Sequence, residues 1–195
     1  QIFNIQNDLK YLKVKGDLYA GINVGGDIGK VDIDGTFYSS TFVNGNMDSL
    51  VVDGGLGGVL GALGTRGNLT VLGNLKSLKF NTSCDLFADL TVGGTIKKIS
   101  LRNGSIIGNL TSRYGSINSI SLKGGSIIGN VQASSIGKVT VSNGNITGNI
   151  TATNGNIKSI SVKNGNLSAD VTAENGSIDK LRTVSYTHLT LPTKA

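Results

Sequence analysis

The sequence predicts an all-β fold, a single-stranded parallel β-helix (β-solenoid) with about 20 residues per coil. Three observations support this: a composition of strand and turn formers, an apolar motif that recurs at a nearly constant spacing, and a turn signal between copies. The 195 residues include 29 Gly, one Pro and no Trp, and only 15% are charged. With abundant Asn, Ser, Thr, Ile and Val, this composition suits short strands and tight turns rather than helices.

The first half of the predicted coil is the motif apolar-x-x-apolar-x-apolar, which occurs nine times. Such alternation is typical of a strand with one buried face. Successive copies start 19, 19, 28, 21, 21, 19, 21 and 21 residues apart. A period maintained over so many copies indicates a repeat architecture. The copies start at Leu9, Ile28, Met47, Leu75, Ile96, Ile117, Ile136, Ile157 and Ile178.

The second half of the coil is a different motif, apolar-x-x-x-apolar-x-small. Because each half resembles its own kind one full unit away, we expect like halves to stack on like, which gives parallel strands. Asn-Gly and Gly-Gly pairs then form corners, where a positive φ is needed. The same pairs are typical of two-residue β-hairpins, so a hairpin architecture stays the alternative. The copies start at Leu18, Leu86, Ile106, Ile127, Ile146 and Leu167.

Two segments depart from the repeat. The longest step contains DGGLGGVLGALGTRG (53–67), which we expect to be a loop inserted into one coil of a solenoid spanning 1–183. Residues 184–195, VSYTHLTLPTKA, hold the only His and the only Pro, and they resemble the in-frame translation of a transposon-end sequencing adapter. We therefore expect this tail to be an unstructured artefact and assign no role to His188. The chain is expected to be a fragment of a longer protein, and its exposed strand edges can stack end to end.

Residue types that carry catalysis or hold cofactors are sparse. Glu174 is the only Glu, no His remains outside the tail, and Cys84 is the only Cys, so we expect neither catalysis nor a cofactor. Asp32 and Asp34 flank the inward-facing Ile33 and share the outer face, where two carboxylates can hold a hard cation. The more ordinary interpretation is a pair of solvated acids at a turn edge.

Outward positions also repeat from coil to coil. One position is always Asn or Asp in four successive coils. We expect these side chains to form a ladder with amide-to-amide hydrogen bonds along the column. The ladder consists of Asn109, Asn130, Asn149 and Asp170.

Basic residues concentrate in the C-terminal half. Residues 1–90 hold seven Lys and Arg against nine Asp and Glu, whereas residues 91–183 hold ten against three. Two residues after the first apolar anchor, Lys alternates with Ser, so these lysines lie two coils, roughly 10 Å, apart. One interpretation is a solvated face, and the sharper one is a stripe that binds a polyanion. The stripe consists of Lys98, Lys138, Lys180 and the neighbouring Lys158.

Units such as GNITGNITATNGNIKSISVK (144–163) resemble the degenerate repeats of large secreted bacterial β-helix proteins, including autotransporter adhesin passengers and filamentous-haemagglutinin-like exoproteins. The resemblance covers residues 5–183 and rests on period and composition. It implies a right-handed parallel β-helix, export, and display on the bacterial cell surface or in the matrix.

These observations predict a structural or adhesive segment of a secreted or cell-surface bacterial protein, without catalysis of its own. Expected partners are surface polysaccharides or host and matrix polymers, and no specific nucleic acid. No apolar run is long enough to span a bilayer. Two alternatives stay open: the frame of a β-helical carbohydrate-active enzyme whose catalytic coils lie outside this chain, and a polyanion-binding module.

Overall fold

The structure, a computed structural model, describes residues 1–56 and 67–184. In these ranges the chain forms 18 strands that alternate between two nine-stranded sheets. Sheet A consists of β1 (Ile2–Ile5), β3 (Gly21–Val24), β5 (Thr41–Val43), β7 (Gly67–Val71), β9 (Ala88–Val92), β11 (Leu110–Ser112), β13 (Val131–Ala133), β15 (Ile150–Ala152) and β17 (Val171–Ala173). Sheet B consists of β2 (Leu9–Val14), β4 (Ile28–Ile33), β6 (Met47–Val52), β8 (Leu75–Ser83), β10 (Ile96–Arg102), β12 (Ile117–Lys123), β14 (Ile136–Ser142), β16 (Ile157–Lys163) and β18 (Leu181–Val184).

All neighbouring strands in both sheets pair in parallel, which confirms the β-solenoid and shows that the hairpin alternative is wrong. The registers reproduce the sequence repeat. Ile28 pairs with Met47 across the 19-residue step, and Met47 pairs with Leu75 across the 28-residue step. The apolar anchors therefore stack in columns, one residue per coil.

Each coil has a third side, made by a single column of parallel bridges rather than by a full sheet. The second-half motif begins on this side and ends in sheet A, so each coil encloses a three-sided core. Sequence reasoning missed two copies of this motif, those that start at Phe37 and Leu56. The bridge column is Leu18, Phe37, Leu56, Leu86, Ile106, Ile127, Ile146 and Leu167.

The inserted loop predicted at 53–67 needs correction at both ends. Leu56 is only 2% exposed and bridges Phe37 and Leu86, so it belongs to the coil. Gly67 is the first residue of β7. Residues 57–66 lie outside the described part of the chain.

Val184, which we expected to be the first residue of an unstructured tail, instead lies in β18, and its carbonyl accepts a hydrogen bond from the N–H of Asn164 at 2.7 Å. Residues 185–195, including His188, lie outside the described residues.

The core is a continuous column of aliphatic side chains with a few larger ones, such as Phe37 and Phe80, which are essentially fully buried. Within sheet B the burial pattern follows the motif, so that Ile96, Ile99 and Leu101 face inward while the residues between them face out. Full burial of such a side chain contributes about 1.5–3 kcal/mol. Each coil shares its core with its neighbours, so the coils stabilise one another along the column.

The corner after sheet B shows why Asn-Gly and Gly-Gly pairs recur. The first residue of the pair takes the predicted positive φ here: 52° at Asn103, 81° at Gly124 and 55° at Asn143. The second residue is glycine for another reason. A Cβ on Gly125 would overlap the carbonyl oxygen of Gly104 in the coil before it, so the stacked backbones leave no room for a side chain. The prediction of a positive φ is wrong for the corner after sheet A, where neither residue of Asn154-Gly155 has a positive φ.

Candidate functional site

The outer surface of sheet B is basic from β8 onwards. These strands carry ten Lys and Arg and no Asp or Glu. We call this surface, together with Lys180, the basic face. Its cationic residues are Lys76, Lys79, Lys97, Lys98, Arg102, Lys123, Lys138, Lys158, Lys163, Lys180 and Arg182.

The predicted lysine stripe lies on the basic face. In sheet B, Lys138 aligns with Ser119 on one side and with Ser159 on the other, and Lys98 aligns with Ser77. The lysines of this column therefore lie on alternate strands, roughly 10 Å apart at the usual strand spacing. Lys158 lies in the adjacent column, where the register places it beside Gly137.

Gly137 forms the floor of an open groove of about 880 Å³ on the basic face. Its position in the sheet has no side chain because a Cβ would overlap the carbonyl oxygen of Asn118. Within the described part of the chain, Lys138 and Lys158 form no ion pair. We call this the Gly137 groove, and its polar lining includes Ser116, Asn118, Ser135, Lys138, Asn156 and Lys158.

An equivalent groove of about 470 Å³ lies five coils towards the N-terminus, at Gly29. Gly29 and Gly137 each follow the first anchor of their strand, and a Cβ on Gly29 would overlap the carbonyl oxygen of Lys10. The charges differ: Asp48 occupies the position that Lys158 has in the other groove, and it pairs with Lys76 at 3.5 Å. We call this the Gly29 groove.

Asp32 and Asp34, the weak candidates for a metal site, lie beside lysines. Lys13 forms ion pairs with both carboxylates, and Lys30 Nζ lies 2.9 Å from Asp32. The Lys30 hydrogen bond lowers the pKa of Asp32, and the Asp34 hydrogen bond raises the pKa of Lys13. Ammonium groups therefore lie beside both of the carboxylates that were the weak candidates for holding a cation. In the described ranges no cluster of three or more His, Cys, Asp or Glu side chains could hold a metal ion.

The predicted ladder residues, Asn109 to Asp170, lie in one column at the corner that precedes sheet A. The bonds differ from the expected amide pairs, because each side-chain oxygen accepts from the backbone N–H of the same position in the next coil. The N···O distances are 3.0 Å from Asn130 to Asn109, 2.9 Å from Asn149 to Asn130 and 3.2 Å from Asp170 to Asn149. Asp89 extends the column, since it accepts from the N–H of Asn109 at 2.7 Å.

The other two corners carry ladders that sequence reasoning missed. Before sheet B, Asp27 accepts from the N–H of Asn46 at 2.6 Å, and Asn46 accepts from the N–H of Asn74 at 2.9 Å. Before the bridge column, Ser105 accepts from the N–H of Ser126 at 3.1 Å and Ser126 from that of Asn145 at 2.9 Å. The signal was present, because the residue before each first anchor is usually Asp, Asn, Ser or Thr. These side chains satisfy backbone donors where the sheets are interrupted.

The remaining outer surfaces have a different chemistry. On sheet A the outward column consists mainly of threonine in its C-terminal half, where Thr91 aligns with Thr111 and Thr151 aligns with Thr172. On the third side, Tyr19 and Tyr38 stack with ring centroids 5.0 Å apart. Cationic side chains therefore distinguish sheet B from the other two sides.

No protein-family model, no curated protein and no solved structure matches this chain. No helix in the described residues is long and apolar enough to cross a membrane. The interpretation of function therefore depends on the fold and on the chemistry of its surfaces.

Proposed function

We propose that this chain is a structural and adhesive segment of a large secreted or cell-surface bacterial protein, and that it has no catalysis of its own. The observation that carries the proposal is the basic face: a regular surface on which Lys and Arg predominate, with the acid Asp179 beside Lys180, on a stacked scaffold. A scaffold of this kind holds its side chains at fixed spacing, because the described strands pair in parallel and the corner ladders bond one coil to the next.

Regular spacing suits a partner that is itself a repeating polymer. A single exposed Lys contributes little to binding, since surface ion pairs are worth about 0–1 kcal/mol. Many such contacts along one polymer act together and produce a useful total affinity. The basic face is thus suited to weak, multivalent binding of an anionic polymer, and this favours the polyanion-binding alternative as the mode of adhesion.

An acidic polysaccharide is the partner we favour over a nucleic acid. Proteins that bind single-stranded nucleic acid usually offer aromatic platforms on which bases stack. The outward positions of the sheet-B strands from β8 to β18 carry no aromatic residue, and the only aromatic one there, Phe80, is buried. The Ser, Thr and Asn side chains between the lysines are suited to hydrogen bonds with sugar hydroxyls.

Adsorption to immobilised polysaccharides tests the proposal. The chain should be retained by a uronate-containing polysaccharide at low salt and eluted as salt rises, because screening weakens exposed charge contacts. A neutral polysaccharide of similar length is the matched control. Absence of retention at low salt, or equal retention on the neutral polymer, would contradict adhesion through the basic face.

Export is a separate part of the proposal and has its own check. Its support is the resemblance of the repeats to secreted bacterial β-helix proteins and the near absence of cysteine. Protease treatment of intact source cells should cleave the protein without lysis. Protection of the protein in intact cells, with cleavage only after lysis, would place it inside the cell and reject this part.

A further inference from the structure

We propose that the Gly137 groove is a discrete subsite that takes a carboxylate or sulfate group of an acidic polysaccharide, held between Lys138 and Lys158. This inference rests on the proposed function, because it assigns one position on the basic face to the binding of the anionic group. Three features of the groove support it: its shape, its unpaired charges and its polar lining.

The shape is built into the backbone. Gly137 lies between Asn118 and Lys158 in its column, and both of these neighbours carry side chains, so a depression forms between adjacent coils. Its volume of about 880 Å³ falls within the range of roughly 300–1,000 Å³ that is usual for ligand sites. A sugar unit can therefore sit in the sheet surface rather than only on it.

The charges converge on the depression. Lys158 lies beside Gly137 on the next strand, and Lys138 directly follows Gly137 on its own strand. Adjacent strands are about 4.8 Å apart, so both long side chains can reach one anion. No carboxylate lines this groove, and the lysines form no ion pair within the described residues.

The lining adds hydrogen-bonding groups suited to a sugar. Ser116 and Ser135 hydroxyls bond each other at 2.7 Å at one side of the groove. Asn156 already accepts from the N–H of Ser177 at 3.0 Å through its side-chain oxygen, which leaves the amide N–H₂ available to donate. Donors from Asn156 and Asn118 can therefore bind ring or hydroxyl oxygens beside the anionic group.

The Gly29 groove shows that a depression of this kind is not basic by default. It is lined by Asp27 and Asp48 as well as Lys76 and Lys97, so its charges balance. The two grooves share the same position in the repeat, which makes one a natural control for the other.

The test is the affinity of the full chain for a hexamer of galacturonate, a sulfated hexasaccharide, a neutral glucose hexamer and a single-stranded oligodeoxynucleotide. The variant Lys138→Gln/Lys158→Gln should bind the acidic hexamers about tenfold more weakly than wild type. The matched variant Lys98→Gln/Lys180→Gln removes two charges from the same face outside the groove and should change affinity less than threefold. All variants should keep the β-sheet circular dichroism of wild type, since surface substitutions rarely change stability by more than about 0.5 kcal/mol.

The outcomes separate the two proposals. If wild type binds neither acidic hexamer nor an acidic polysaccharide, adhesion through the basic face fails. If wild type binds but both double variants lose affinity equally, or neither does, the proposed function stands and the groove subsite is wrong. Tighter binding of the oligodeoxynucleotide than of either acidic hexamer overturns the ligand class.

Discussion

The Gly29 and Gly137 grooves show how one backbone position in a repeat can carry two surface chemistries. Both exist because a Cβ on Gly29 or Gly137 would overlap a carbonyl oxygen of the preceding coil, whereas their neighbours in the column, Asp48 and Lys158, carry side chains. In the N-terminal groove Asp48 faces Lys76, whereas in the C-terminal groove Lys158 has replaced the acid. An outward-facing glycine produces the depression, and the side chains on the neighbouring strands decide what it can bind.

The largest expected effect is on stability, because both grooves exist where a side chain would overlap the backbone of the preceding coil. Gly137→Val and Gly29→Val should each lower the free energy of unfolding by about 1–3 kcal/mol, because the added side chain overlaps a carbonyl of the preceding coil. Urea denaturation measures both changes. Ser119→Val, at an outward position in the neighbouring column, is the control and should stay within about 0.5 kcal/mol of wild type. If Gly137→Val were as stable as wild type, close backbone approach would not explain the glycine.

Exchanging the charges of the two grooves should transfer anion binding from the Gly137 groove to the Gly29 groove. The variant Lys158→Asp/Asp48→Lys keeps the net charge of +6 but moves the uncompensated cation to the Gly29 groove. Lys158→Asp alone should weaken binding of an acidic hexamer about tenfold, or about 1.4 kcal/mol, and Asp48→Lys should restore part of it through the other groove. Isothermal titration calorimetry gives the affinities. Binding by the double variant at the Gly137 groove, with wild-type affinity, would show that net charge rather than position governs recognition.

The corner ladders should behave alike in both halves. Asn130→Ala and Asn46→Ala each remove an oxygen that accepts from a backbone N–H of the next coil. Each should cost about 1 kcal/mol, the usual value for one hydrogen bond. Asn130→Ser should recover part of the loss, because Ser105 and Ser126 fill the same role in another ladder. Unfolding in urea provides the values, and an unchanged midpoint for Asn130→Ala would argue against the ladder as a stabilising element.

The smallest expected effect is a pH dependence of stability that arises from Asp32 in the N-terminal half and has no counterpart at the equivalent position in β14. Hydrogen bonding to Lys30 lowers the pKa of Asp32 in the folded chain. Stability from this carboxylate is therefore fully present above its unfolded pKa of about 3.9 and is lost as pH falls through the lower folded value. The pair is exposed, so we expect a loss below about 1 kcal/mol. Asp32→Asn should remove this part of the pH dependence, whereas Thr140→Ala, at the equivalent position in β14, should leave it intact. Thermal unfolding between pH 2 and pH 6 shows whether the two variants differ in this way.

The fold was largely predictable because the anchors of each strand are apolar and evenly spaced. The registers of Leu9 with Ile28 and of Ile136 with Ile157 follow directly from the motif. Two copies of the second motif escaped notice for local reasons. Thr41 occupies a position that is apolar in most coils, and the insertion after Leu56 separates that anchor from Leu69.

The candidate site was only partly predictable. The stripe that includes Lys138 and Lys158 follows from composition and spacing, but the groove between them depends on Gly137 and the stacking of three coils. The pairing of Asp32 with Lys13 joins residues on neighbouring coils, so the order of residues along the chain alone did not show that these acids are neutralised. Surface pairing of this kind depends on register and side-chain direction together.

One measurement tests the central claim most directly: the amide signals of Gly137 and Gly29 in a nitrogen–proton NMR spectrum during titration with a galacturonate hexamer. The account predicts that the Gly137 signal shifts in a saturable, salt-sensitive manner while the Gly29 signal stays in place. Equal shifts of both signals, or a shift of Gly29 alone, would contradict the claim that the charges around one groove make it the binding site.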